Sequence, residues 1–231
     1  MVNTKYLIIH ADDFGLSPGI NDGILHGLRR GIITSTSVMV STRYLRSTAL
    51  SIKQFPHIDW GLHVDIGENT DHSARSIEEK AERQLHIFTE TFGINPSHVD
   101  FHKGFRFTNK VYFALRMFAL KNNISFRYDN HHSVETRFYG AVKTDMKPEN
   151  INVEALVRIL VSLPAGVTEL VCHPGWTNNR LTDPYRHQRA LEISTLFNSV
   201  IRKTLKTQHI RLISYKQYQL LPSNVIFSHN E

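Results

Sequence analysis

The chain has 231 residues, 41% hydrophobic and 21% charged, with one cysteine and a formal net charge of +6. This is the composition of a globular chain. One cysteine excludes an internal disulfide and a cysteine-rich zinc site, and no apolar run reaches the roughly 20 residues of a membrane helix. The basic residues are spread along the chain, densest in LRRG and VIRKTLKTQHIR on expected helices. No nucleic-acid motif accompanies them, so no nucleic-acid partner is expected.

The opening stretch MVNTKYLIIHADD has one lysine, a very short apolar core and carboxylates where a leader would be cleaved. A cytoplasmic protein is the expectation. KYLIIHAD reads as a strand and GINDGILHGLRRG as a helix ended by Gly31. ITSTSVMV is a strand, and residues 43–55 form a short helix. DWGLHVDI is a strand, followed by a long helix, SIEEKAERQLHIFTETFG, with a Ser76…Glu79 capping box. SHVDFH is a strand, NKVYFALRMFALKNN a helix and ISFRY a strand. Residues 128–150 read as irregular and polar, a lid candidate carrying His131 and His132. Then come the helix NVEALVRILVSL, the strand TELVCH, the single long helix TDPYRHQRALEISTLFNSVIRKTLK and the strand IRLISY.

Strict alternation of strands and helices argues for a parallel sheet. About seven strands suit one (β/α) barrel over residues 1–231, closed or nearly so. No G-x-G-x-x-G follows the first strand, so a dinucleotide fold is not indicated. In such a barrel, chemistry sits at the C-terminal ends of the strands. Four strands end in residues that a packed barrel would not choose: Asp12-Asp13, the His63 to Asp65 stretch, His98-x-Asp100-x-His102, and Cys172-His173-Pro174-Gly175. Residues two apart on a strand share a face, so His98, Asp100 and His102 align, as do His63 and Asp65.

An aspartate with two histidines and no thiolate is a ligand set for a catalytic divalent cation. A second carboxylate beside it suits a general base, and His173, held by a rigid Pro-Gly turn, suits an acid for a leaving amine.

The motifs HADDFGLSPGINDGI, TSTSVMV, GLHVDI, SHVDFH, FYG and ELVCHPGW, in that order over nearly the whole chain, resemble those of the YdjC-like carbohydrate deacetylases, which include chitooligosaccharide deacetylases. The resemblance implies a distorted (β/α) barrel, a deacetylase-like TIM-barrel variant, that removes N-acetyl groups from N-acetylglucosamine-containing sugars with one divalent metal ion, often magnesium. It makes Asp13, His63 and His102 the metal ligands, Asp12 the base and His173 the acid. The split between the two aspartates follows the NodB-type deacetylases, in which the second of the pair binds metal. Two imidazoles suit zinc, cobalt or iron better than magnesium. The chain departs from the family in HVDFHKGFR, where Phe101, Gly104 and Arg106 replace a serine and two histidines, so the particular sugar is not carried over.

Hydrolysis of another bond, such as a phosphoester, and a non-catalytic carbohydrate-binding relative are the alternatives; a homodimer is left open. Arg127 stands between orienting Asp12, touching substrate and a structural salt bridge. Arg189 and Glu192 are expected to pair or to anchor their helix. Trp176 is a candidate for stacking on a sugar face, against simple packing. Cys172 is expected to be a buried small apolar residue, and His10, His26 and His57 to be structural or surface residues.

Overall fold

The computed structural model describes residues 4–67, 72–103, 108–129, 132–142, 145–176 and 183–222. The first strand, β1 (Lys5–Phe14), lies at the centre of the sheet. On one edge it pairs with β9 (Gly166–Cys172). Its other partners are β10 (Ile210–Leu212) along Lys5–Leu7 and β2 (Ser35–Val38) from His10 onward. Beyond β2 follow β3 (Trp60–Val64), β4 (His98–Phe101) and β5 (Ser125–Phe126). Beyond β9 lies β6 (Ser133–Glu135). All these ladders are parallel. The sheet path is therefore β5-β4-β3-β2-β1-β9-β6, seven strands curled as an incomplete barrel. Among the described residues no ladder joins β5 to β6.

Three expectations about the strands and the C-terminal helix change. Residues 128–150 are not wholly irregular: they supply β6, and β7 (Ala141–Val142) with β8 (Asp145–Met146) as a small antiparallel hairpin. Strands of two or three residues leave too short a pattern to be read. The predicted last strand, β10, sits beside the first half of β1 instead of taking its own place in the path. The long C-terminal helix is two, α6 (Arg186–Leu196) and α7 (Ser199–Thr207); Asn198 breaks it and caps the second, accepting from the Val200 N–H.

The helices between the strands follow the pattern. α1 (Pro18–Arg29) has Ser17 as N-cap, accepting from the Ile20 N–H, and Pro18 at its first turn. α2 (Leu45–Gln54) and α4 (Asn109–Lys121) fall where expected. α3 (Ala74–Phe92) starts earlier than expected. Its cap is Ser73, which accepts from the Ser76 N–H, and Glu79 pairs with Arg75 on the surface at 2.8 Å, so there is no Ser76…Glu79 capping box. α5 (Val153–Ser162) is capped by Asn152, and α8 (Tyr215–Gln219) closes the bottom with a Ser214–Gln217 capping box.

Alternation along β1 separates two environments. Leu7, Ile9 and Ala11 join the main core between the sheet and the helices, with Ile20, Ile24, Leu62, Val99, Leu115 and Leu170. Each buried Leu, Ile or Val side chain of this set contributes roughly 1.5–3 kcal/mol. Ile8 points the other way and packs with Val167, Ile213, Tyr215 and Tyr218 into a small apolar floor inside the barrel. Above that floor the interior is polar. No described helix is long and apolar enough to cross a membrane.

Candidate active site

The two aspartates sit on a β-bulge. The pairing of β1 with β2 shifts register between Ala11 and Phe14, and Asp13 has φ 72°. A bulge breaks alternation, so consecutive side chains reach one site. Aspartate tolerates the left-handed region better than most residues. The next residue, Gly15, has φ +97°, and a Cβ there would lie 2.6 Å from the Met39 carbonyl oxygen; only glycine fits.

Asp12 and Asp13 have different surroundings. Arg127, one residue past β5, grips Asp12 with both guanidinium ends: Nη2 donates to Oδ1 at 2.6 Å and Nη1 to Oδ2 at 3.1 Å. The same guanidinium lies 2.7 Å from Asp100 Oδ2 and donates from Nε to Glu169 at 2.7 Å. Arg127 is thus a structural cation and the orienting partner of Asp12 at once. His132 Nε2 and the Tyr215 hydroxyl also meet Glu169. His10, taken from sequence as structural or surface, is fully buried in this interior, 3.4 Å from Asp12 and 3.3 Å from Asp100. His98 stacks on Tyr215, and burial lowers its pKa well below the ordinary histidine value.

Asp13 points elsewhere. Its Oδ2 accepts from Arg189 Nη2 at 2.7 Å. Its Oδ1 is buried with no hydrogen-bond partner, 3.3 Å from His63 Nε2 and 3.8 Å from His102 Nε2. Burial acts to raise the Asp13 pKa, but Arg189, with His63 and His102, outweighs it and holds the carboxyl well below the usual range. His63 and Asp100 are register partners across β3 and β4. His63 Nδ1 meets Asp100 Oδ1 at 2.7 Å and Ser37 Oγ at 3.1 Å, which aims Nε2 at Asp13. His102 lies just past β4, with Asp65 Oδ1 3.5 Å from its Nδ1. That imidazole pulls the Asp65 carboxyl down to about 2.

Two other trios, His10–His98–Asp100 and Asp12–His63–Asp100, bring all their ligand atoms within 4.8 Å of one another, a spacing that Asp13, His63 and His102 do not reach. Both use Asp100, and a cation there would face the Arg127 guanidinium 2.7 Å from that carboxylate. In Asp13, His63 and His102 the guanidinium of Arg189 occupies only Asp13 Oδ2, and Oδ1 faces two imidazole nitrogens, a donor set that suits a divalent cation.

His173 follows β9 and is partly exposed, its Nε2 3.7 Å from Asp12 Oδ2. Burial lowers its pKa despite Asp12 and Asp13. The turn after it is wedged against α1: a Cβ on Gly23 would lie 2.8 Å from Gly175 Cα, and the Trp176 N–H donates to Gly19. Arg189 and Glu192 make no hydrogen bond to each other. Arg189 spans Asp13, Asp183 and the His173 carbonyl, while Glu192 accepts from the His173 N–H and the Tyr185 hydroxyl. The expectation that they pair or anchor their helix gives way to contacts with Asp13 and His173. An arginine and a glutamate three apart on a helix face that must pack inward was the signal available.

Trp176 is 44% exposed, its ring 5.3 Å from His26. Cys172 is buried, as expected, and donates to the His10 carbonyl. Phe101 is buried in the main core. Gly104, Arg106 and His131 lie outside the described residues.

The comparisons agree with this architecture. A family profile described as YdjC-like protein matches residues 6–76 and 68–207. A chitooligosaccharide deacetylase of Yersinia enterocolitica is 25% identical over 91% of this chain and 98% of its own length. A carbohydrate deacetylase of Thermoanaerobacter pseudethanolicus is 26% identical, again over 91% and 98%. Among solved structures, an Enterococcus faecalis V583 protein described as a putative cellobiose-phosphate cleavage protein superposes with TM-score 0.78 at 20% identity, over 93% of this chain and 98% of that one. A family 4 acetyl xylan esterase from Clostridium thermocellum, in complex with a cobalt ion, superposes with TM-score 0.56 at 13% identity, over 95% and 94%. These structures share the fold. With the profile spanning most of its length, the chain belongs to the YdjC-like protein family.

Proposed function

We propose that this protein is a metal-dependent carbohydrate deacetylase that hydrolyses the acetamide of an N-acetylglucosamine-containing oligosaccharide or glycoconjugate. The observation that carries the reading is the divided fate of the paired aspartates: Arg127 takes Asp12, while Asp13 turns a buried, unpartnered oxygen toward two imidazole nitrogens. The deacetylase names of relatives aligned over nearly their whole length support it.

Asp13, His63 and His102 would hold the cation. When bound, a divalent ion lowers the pKa of water and polarises a carbonyl. Two imidazoles favour zinc, cobalt or iron over magnesium.

The chain's own groups do the rest. Asp12, fixed by the Arg127 fork, accepts the proton of the attacking water. His173 Nε2 stands 3.7 Å from Asp12 Oδ2, across the same site, takes the proton that Asp12 received and passes it to the departing amine. Asp100 and Ser37 hold the His63 ring, and Arg189 fixes the Asp13 carboxylate. The products are acetate and a free amino sugar. The test is acetate release from a panel of N-acetylated glycans, with several divalent metals, after chelator treatment.

A further inference from the structure

The segment Phe138-Tyr139-Gly140 precedes β7 and takes no part in the chemistry described so far. Both its flanks are fixed. Phe138 is fully buried in the main core. Gly140 donates from its N–H to the Tyr185 hydroxyl at 2.6 Å and accepts from the Lys147 N–H at 2.8 Å. A Cβ on Gly140 would lie 2.6 Å from Ile151 and 2.9 Å from Gln188, so a larger residue would push the segment out. Tyr139, between them, is turned toward the site. Its ring stacks on Tyr185, centroids 4.7 Å apart at 11°, and leans on His173 at 5.1 Å and 58°. Tyr185 is itself pinned by its hydrogen bond to Glu192. No described residue takes a hydrogen bond from the Tyr139 hydroxyl.

We propose that Tyr139 is a catalytic residue whose hydroxyl donates a hydrogen bond to the acetamide carbonyl oxygen as negative charge builds there. This rests on the deacetylase reading above. Three features support it. The ring packs against His173, the group assigned to protonate the amine on the same scissile bond. The hydroxyl is a donor with no partner among the described residues, on a side chain held by two aromatic neighbours. Burial, followed by the charge of Asp13, raises its pKa, so it keeps its proton at neutral pH. A preorganised donor aimed at developing charge acts on the transition state more than on bound substrate. The step leaves the balance of hydrolysis unchanged: Tyr139 donates a hydrogen bond and keeps its proton.

The experiment compares wild type, Tyr139→Phe and Tyr139→Ala in acetate release from N,N′-diacetylchitobiose, with thermal melts and Co2+ titration of each. The phenylalanine variant keeps both ring contacts and loses one oxygen. It is expected to melt as wild type and bind Co2+ equally, with KM changed by less than about threefold and kcat lower by about 10²-fold, the cost of removing one oxyanion donor. Wild-type kcat in Tyr139→Phe overturns the proposal. So does a change confined to KM, or one seen only in Tyr139→Ala, either of which makes the ring a sugar platform. A wild-type protein that releases no acetate from any N-acetylated sugar overturns the deacetylase reading itself, and is recognised before any variant is compared.

Discussion

Arg127 closes a two-pronged ion pair on Asp12, with donor–acceptor distances of 2.6 and 3.1 Å, from a position one residue past β5 to the bulge of β1. The same guanidinium compensates Asp100 and Glu169, so three buried carboxylates depend on one cation. Removing one partner of a buried pair costs about 3–5 kcal/mol. Arg127→Met is therefore expected to lower the melting temperature sharply. Arg127→Lys keeps the charge but not the planar fork. It should fold, yet lose about 10²-fold in kcat/KM because Asp12 is no longer held in place. Equal activity in Arg127→Lys and wild type would show that Asp12 needs no orienting.

Asp13 and Asp65 relate to the two histidines differently, and this gives a graded result. Asp13 Oδ1 faces both Nε2 atoms, whereas Asp65 only backs His102 at 3.5 Å. Outer partners of ligating histidines are typically worth 10–100-fold in metal affinity. Asp65→Asn is expected within about that range, and Asp13→Asn to exceed about 10²-fold. Calorimetric titration with Zn2+ or Co2+ reads both. A cation that binds Asp13→Asn as tightly as wild type would move the site away from this trio.

His173→Gln should leave cation affinity and thermal stability near wild type, since its ring makes packing contacts with Tyr139 and Tyr185 and its backbone carries the hydrogen bonds to Glu192 and Arg189. Loss of a positioned acid lowers kcat by roughly 10²–10⁴-fold. An unchanged kcat would assign amine protonation to another group.

Glu192 contributes its own pH dependence to stability. Burial pushes its carboxyl up to about 8, against the Tyr185 hydroxyl, the His173 N–H and Arg189. Unfolded, a glutamate titrates near about 4.3. Folding therefore takes up a proton between those two values, and stability falls as pH rises through that window. Asp13 and Asp65 are depressed, so their stabilisation is lost only as pH falls below the ordinary aspartate range of about 3.9. Melting temperatures followed from about pH 5 to about pH 9 should decline for wild type by several degrees more than for Glu192→Gln. Parallel curves would place the Glu192 carboxyl at an ordinary value.

The long strands were legible because their pattern was strong, and β1, β3, β4 and β9 fall where alternation and β-branched runs put them. Their polar ends were legible for the opposite reason: His63, Asp100 and His102 break a pattern that packing alone would fill with aliphatic residues. The helical supports were harder to read. Arg189 and Glu192 lie on a helix whose i, i+3 spacing fits a local pair as well as two separate long-range contacts. Which of them reaches Asp13 depends on where α6 docks. Glu169 looked like an ordinary strand residue in TELVC, and its burial beneath Arg127 follows from the parallel register with Ile8. The bulge that turns Asp12 and Asp13 into one site could not be seen, since it appears only when β1 is laid against β2.

The most direct measurement is acetate release from N-acetylated chitooligosaccharides by the purified protein, before and after exhaustive chelation and after re-addition of Zn2+, Co2+ or Mg2+. The expected result is stoichiometric acetate and free amine, activity abolished by the chelator and restored by a divalent ion in wild type but not in Asp13→Asn. Undiminished acetate release from the chelated enzyme, or none from the metal-loaded one, would contradict it.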